Sequence, residues 1–224
     1  MEGIGLWILL AGVPLLFGLW AQTKVSRTFK RYSAVRTRSG LTGAGAAEAV
    51  LHASGLPGVS IRPVAGRLSD HYDPRSRTLN LSEVVLGEPT VAAAGVAAHE
   101  AGHALQDAQG YRPMRIRQTL VPAATIGQQL WFLPVVIGLF IGATGLVTVG
   151  LVLFAAVVLF QLVTLPVEFD ASRRALVALE QQQLLAPDEL DGARAVLRAA
   201  ALTYIAGFVA ALGQLIYFFL ISRR

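Results

Sequence analysis

Two histidines one helical turn apart, the first followed directly by a glutamate, make His99-Glu100-Ala101-Gly102-His103 the segment of this chain best equipped for chemistry. Residues four apart on a helix share a face, so both imidazoles can converge on one metal ion. Glu100 is offset by one position and points beside that ion, where it can take a proton from water instead of ligating. The pattern reads as a zinc site and a general base on one short helix. The chain has no cysteine, so a metal here draws on nitrogen and oxygen alone.

The elements around the motif have to position it. Pro89 sits where a first helical turn tolerates proline, and Gly110 with Pro113 closes the far end. The stretch from Pro89 to Ala98 is almost wholly apolar yet too short to cross a bilayer, which predicts a buried helix. Ala92, Ala93, Gly95, Ala97 and Ala98 allow it to pack closely, holding the histidines against a sheet. Gly102 costs about 1 kcal/mol of helix propensity relative to alanine, so it marks a place where another backbone or a substrate approaches. Upstream, Gly43 to Ser54 predicts a helix ended by Gly55, and Val59 to Val64 a strand. Arg67 to Tyr72 and Arg77 to Leu81 predict a hairpin around Asp73-Pro74-Arg75-Ser76.

Composition sets the solvent. An apolar share of 54%, a charged share of 15% and a mean hydropathy of +0.56 indicate a membrane protein. Charge is missing from Gly3 to Thr23, from Gln118 to Val167 and from Ala199 to Ser222. The middle run would be about 75 Å long as one helix, so it must be two, turning at Gly142-Ala143-Thr144-Gly145. The first apolar stretch opens with Glu2 instead of a basic cluster and has a long core, so it is expected to remain as an anchor. The expected boundaries are transmembrane helix 1 at 3–21, a cytoplasmic domain with the motif helix at 22–122, a transmembrane hairpin at 123–165, a second cytoplasmic segment at 166–199 and a last transmembrane helix at 200–221.

Positive charge orients these spans. Lys24, Arg27, Lys30, Arg31, Arg36 and Arg38 follow the first, Arg112, Arg115 and Arg117 precede the second, and Arg173, Arg174, Arg194 and Arg198 lie between the third and fourth. Arg223 and Arg224 are left for the other side, so both polar segments face the cytoplasm and both termini lie outside. A net charge of +5 could also suit nucleic acid, but the arginines flank apolar spans and carry no aromatic-rich binding motif, so no nucleic-acid partner is expected. The polar segment of about 100 residues before the second span is too small for a large core of its own and leans on the membrane helices.

Two histidines leave a catalytic zinc one protein ligand short. His52, His71 and the remaining carboxylates are candidates, and Glu168 stands out because it lies at the cytoplasmic end of span three, on the side where the motif sits. For stabilising a developing oxyanion, Tyr204, His71, Arg173 and Arg174 are the candidates. Each also has a bland role: an interfacial anchor for Tyr204, a place within the sheet for His71, and orientation for the arginines. His52 reads as structural.

The segment Glu168-Phe169-Asp170-Ala171 downstream of the motif resembles the gluzincin arrangement of membrane proteases such as HtpX and the CAAX prenyl proteases. More closely, the chain resembles the YugP-like family of bacterial membrane zinc metallopeptidases. The likeness runs through Ser39-Gly40-Leu41-Thr42-Gly43, Asp70 to Arg75, His99 to His103, Leu162 to Phe169 and Ala200 to Tyr204. It implies that His99, His103 and Glu168 bind Zn2+ and that Glu100 is the catalytic base. HtpX-type proteases carry an aspartate four residues after the ligand glutamate to hold a metal-binding imidazole; here that position is Ser172, and Asp170, two positions on, faces elsewhere on a helix.

The expected protein is therefore an α-helical membrane protein with four transmembrane helices and a small α+β gluzincin-like zinc peptidase domain. It would cut a protein or peptide substrate, itself membrane-associated, at the cytoplasmic face of a bacterial inner membrane. Two other readings are open. An intramembrane, site-two-type protease would use Leu190-Asp191-Gly192, although Pro187, Asp188 and Glu189 before it read as a solvated helix start. A non-catalytic, metal-stabilised scaffold would keep the geometry without turnover. The substrate, the oligomeric state and any regulatory partner are not written in these residues.

Overall fold

A computed structural model describes residues 2–66 and 68–223. Arg67 and Arg224, both named above, lie outside the described residues. The chain is mostly helical with one small mixed sheet, and it divides into two compact units.

One unit comprises Met1–Gln22, Arg112–Pro166 and Leu202–Arg224. It contains α1 (Glu2–Trp7), a π-helical turn at Ile8–Gly12 and the start of α2 (Val13–Ser33), then α6 (Arg112–Leu130), α7 (Phe132–Ile141), most of α8 (Thr144–Gln181) and the end of α9 (Pro187–Ile221). Three helices are long and apolar enough to cross a membrane, and a fourth crossing arises if α6 and α7 form one bent span. That pair bends by 43° across Trp131. The Trp131 indole packs among Phe132, Phe154 and Phe218, with the Phe154 ring centroid at 4.4 Å. The predicted turn falls at Gly142, whose φ of +71° ends α7 in the left-handed conformation that glycine adopts without strain. Gly138 and Gly150 let α7 and α8 meet closely: a Cβ on Gly150 would stand 2.7 Å from the Trp131 carbonyl oxygen. Outward-facing Phe140, Leu16, Leu133 and Val152 give this unit the apolar exterior that suits lipid.

The other unit comprises Thr23–Tyr111 and Val167–Ala201. It adds α3 (Gly43–Ala53), β1 (Ser60–Val64), β2 (His71–Asp73), β3 (Thr78–Ser82), α4 (Glu83–Gly87) and α5 (Val91–Ala108) to the remaining parts of α2, α8 and α9. Thr42 caps α3 by accepting a hydrogen bond from the Gly45 amide, and Gly55 follows its end at φ +72°. The sheet order is β1-β3-β2. The hairpin forms as expected, with Tyr72 opposite Leu79, but β2 is only three residues long, and Leu68 ahead of it takes a positive φ. β1 pairs parallel with β3, Ile61 beside Leu79.

The core of this unit joins Val50 and Leu51 of α3, Leu79 and Leu81 of β3, the alanines of α5, and Leu179, Leu190 and Leu197 of α8 and α9. α5 is the buried helix that its small side chains predict. Its termini differ from expectation: Thr90, not Pro89, caps the first turn by accepting from the Ala93 amide, and Pro113 opens α6 instead of closing α5. Proline suits that position because the first helical residues have no partner for their N–H groups.

Candidate metal centre

α5 presents the imidazoles of His99 and His103 side by side, with ring centroids 4.8 Å apart. α8 brings Glu168 to them: its Oε2 lies 3.2 Å from His99 Nε2 and 3.6 Å from His103 Nε2. One ligand atom from each of the three residues falls within 4.8 Å of the others, and this is the only such group found among the described residues. The approach of α8 depends on Gly102, where a Cβ would meet the Ala171 carbonyl oxygen at 2.5 Å. The close contact expected at Gly102 is thus with another backbone.

The donor set fits zinc. Ligands about 2.1 Å from a shared tetrahedral centre stand about 3.4 Å apart, close to both observed separations, and two imidazoles with one carboxylate are typical zinc donors that leave a position open for water. Burial matters as well. His103 and Glu168 are buried, while the His99 side chain keeps 12% exposure, enough for one edge of the centre to meet water. Desolvation works against charge on the His103 imidazole, but the Glu168 carboxylate and then Glu100 outweigh it and raise its pKa. Burial likewise opposes the charge on Glu168, and the two imidazoles more than offset it, holding the carboxyl well below its usual range. A buried carboxylate facing two ring nitrogens brings three metal-type donor atoms together.

The outer nitrogens of both rings are engaged. Ser172 Oγ lies 3.1 Å from His99 Nδ1, so the serine four residues after Glu168 touches the imidazole. Gln106 Oε1 lies 3.0 Å from His103 Nδ1, and the Gln106 amide nitrogen donates to the Val167 carbonyl at 2.8 Å and to Asp170 Oδ2 at 2.9 Å. Asp170 was expected to face elsewhere. It does not touch either histidine, but through Gln106 it is joined to one. The polar residues that follow the motif, Gln106 among them, carry no assigned role in the sequence, although a place three residues after His103 on the same helix is a usable signal.

The other candidates are accounted for differently. His71 is exposed on β2, with Nδ1 2.8 Å from the Ser69 carbonyl and Nε2 3.2 Å from Asn80 Nδ2, so both ring nitrogens are used within the hairpin. His52 is exposed on α3, outside the ligand group. Arg173 and Arg174 both pair with Asp170; Arg174 also reaches Gln109 and lies over the Tyr111 ring. Tyr204 lies in the part of α9 that belongs to the other unit. Asp191 is exposed and paired with Arg194 at 2.6 Å, outside the ligand group, so the Leu190-Asp191-Gly192 segment supplies no metal ligand in this arrangement. On β2, Tyr72 donates to Asp107 of α5 at 3.0 Å; burial, then this hydrogen bond, pushes its phenol pKa up.

Helices of membrane length and a group of two histidines and one glutamate placed to hold a metal ion make this a membrane-type chain with a candidate metal site. The chain belongs to the family described as "Putative neutral zinc metallopeptidase", whose model matches residues 7–223. It is similar to the "Putative membrane protease YugP" of Bacillus subtilis (strain 168), 40% identical over 216 residues that cover 96% of each chain. No solved structure matches.

Proposed function

We propose that this protein is a membrane-embedded zinc-dependent metalloendopeptidase that hydrolyses peptide bonds at the cytoplasmic face of a bacterial inner membrane. The observation that carries the reading is the convergence of His99, His103 and Glu168 from two helices, with Glu100 buried on the same helix as the histidines. His99, His103 and Glu168 hold the ion, in a gluzincin-like arrangement. A bound zinc would supply Lewis acidity, lowering the pKa of water toward 7 and polarising a peptide carbonyl. Glu100 takes the proton from the attacking water and delivers it to the leaving amine. Arg173 and Arg174, already committed to Asp170, are poorly placed to act as free anion donors.

The substrate is a protein or peptide, reached from the membrane surface. β2 stands at one edge of the sheet and packs on α5, so an extended substrate backbone can add beside it. The proposed spans are 3–21, 123–165 as a hairpin, and 200–221, with 22–122 and 166–199 in the cytoplasm, as the basic flanks require. Glu168 then follows the third span by three residues.

Replacing Glu100 by glutamine tests the assignment. The variant is expected to bind one zinc like the wild type and to lose cleavage, and substrate peptides should accumulate in membranes that carry it. Undiminished hydrolysis by a clean Glu100→Gln preparation would sink the general-base role, and a fourth protein ligand on the ion would favour the non-catalytic scaffold.

A further inference from the structure

The residue that the zinc reading leaves unexplained is Gln106. It is fully buried, yet it spends every polar atom of its side chain on one chain of contacts. The chemistry of those partners fixes its orientation. The Val167 carbonyl can only accept, and Asp170, paired with the guanidinium groups of Arg173 and Arg174, is an ionised carboxylate that can only accept. The Gln106 end that faces both of them must be its NH2 group, and both N–H bonds are used there. The opposite end is then the carbonyl oxygen, again purely an acceptor. His103 Nδ1, 3.0 Å from that oxygen, must therefore carry a proton. In the neutral imidazole this leaves the lone pair on Nε2, the atom that faces Glu168.

We propose that Gln106, oriented by Asp170 and the Val167 carbonyl, is a positioning residue that sets the tautomer and ring angle of His103 for zinc binding. This rests on the reading of His99, His103 and Glu168 as the zinc ligands. Two of these contacts bracket Glu168 on α8, since Val167 precedes it and Asp170 follows two positions on. One side chain thus fixes both the direction of an imidazole lone pair and the distance from that ring to the carboxylate opposite. A flipped carboxamide would set its oxygen against two acceptors, so only one orientation satisfies the buried groups. Ser172 does not play the equivalent part for His99, because a hydroxyl can donate or accept and leaves that tautomer undetermined.

The test uses full-length protein in detergent, a chelating dye as competitor for Zn2+, the visible spectrum of the Co2+-loaded protein, and the melting temperature of the metal-free protein. Gln106→Met keeps the side-chain length and removes the acceptor; zinc affinity should fall by about 10- to 100-fold and the Co2+ bands should shift. Nitrogen-15 NMR of the metal-free wild-type protein, at alkaline pH where the imidazole is neutral, reads the His103 tautomer directly: a proton on Nδ1 with the lone pair on Nε2 supports the role, and a proton on Nε2 overturns it. Should Gln106→Met fail to fold, this spectrum decides alone. Affinity that simply follows the melting temperature, or an unchanged affinity in Gln106→Met, would reduce Gln106 to a pin between helices. A wild-type protein that binds no zinc would instead overturn the reading of the site itself.

Discussion

Gly102→Ala adds one methyl group at a close approach of the helices that carry His99, His103 and Glu168. Its Cβ would lie 2.5 Å from the Ala171 carbonyl oxygen, 3.1 Å from the carbonyl carbon and 3.3 Å from Cα. All three atoms are backbone, so no side chain can rotate away. Restoring ordinary contact requires α5 and α8 to separate locally by about 0.9 Å. Alanine gains about 1 kcal/mol of helix propensity over glycine, while overpacking of this kind costs about 1–3 kcal/mol, so global stability should change little or fall by up to about 2 kcal/mol. The metal centre has far less tolerance. Gly102 lies next to His103 and Ala171 three residues past Glu168, and a site of this kind must hold its geometry within about 0.5 Å. Zinc affinity should drop at least ~10-fold, out of proportion to the change in stability. Chelator competition and thermal melting of the metal-free protein, side by side, measure both quantities. A Gly102→Ala protein that melts higher, as helix propensity alone dictates, and binds zinc like the wild type would refute the close-approach argument.

Metal analysis should find zinc lost from Glu168→Gln and retained by Asp191→Ala, since only the first removes a carboxylate from the buried cluster; the reverse pattern would revive the intramembrane reading. Thr90→Ala removes the acceptor that caps α5 and should cost about 1 kcal/mol in denaturant unfolding, because the Ala93 amide is left without a partner at a buried helix start. Tyr72→Phe removes the hydroxyl that donates to Asp107 and should cost about 0.5–1.5 kcal/mol near neutral pH. The raised phenol pKa of Tyr72 also has a pH signature: the folded state holds that proton more tightly than the unfolded chain. The contribution is complete below the unfolded value of about 10 and is lost as pH rises above it, so the wild-type advantage over Tyr72→Phe should shrink on going to alkaline pH. An advantage that stays constant through that range would contradict the hydrogen bond as described.

Much of this protein is written in local spacing. The i, i+4 placement of His99 and His103 dictates a shared helix face, and the small residues before them dictate a helix that packs tightly. The charge-free run from Gln118 to Val167 is too long for one crossing, which forces a turn, and Gly142 is where a left-handed backbone costs least. The hairpin from His71 to Ser82 follows from alternation and a turn sequence. Each of these is decided by residues that are neighbours along the chain, so periodicity and backbone preference suffice to read them.

Other features belong to the tertiary structure. The parallel pairing of β1 with β3 joins segments with a strand and a turn between them, and no local pattern marks it. The break at Trp131 falls where Pro134 takes away the hydrogen bond to the Leu130 carbonyl, a local cause, but the rings that the Trp131 indole then meets, Phe154 and Phe218, are distant in sequence. Gln106 and Asp170 look like ordinary polar residues on helices. Only the packing of α8 against α5 buries the glutamine and turns its carboxamide into the link between a histidine and an aspartate. Glu168 could be singled out by its setting and by family resemblance, but its place 3.2 Å from His99 exists only because Gly102 has no side chain to keep the two backbones apart. Helical periodicity assigns residues to faces; which faces meet, and how closely, depends on side-chain volumes and hydrogen-bond partners drawn from far apart in the chain.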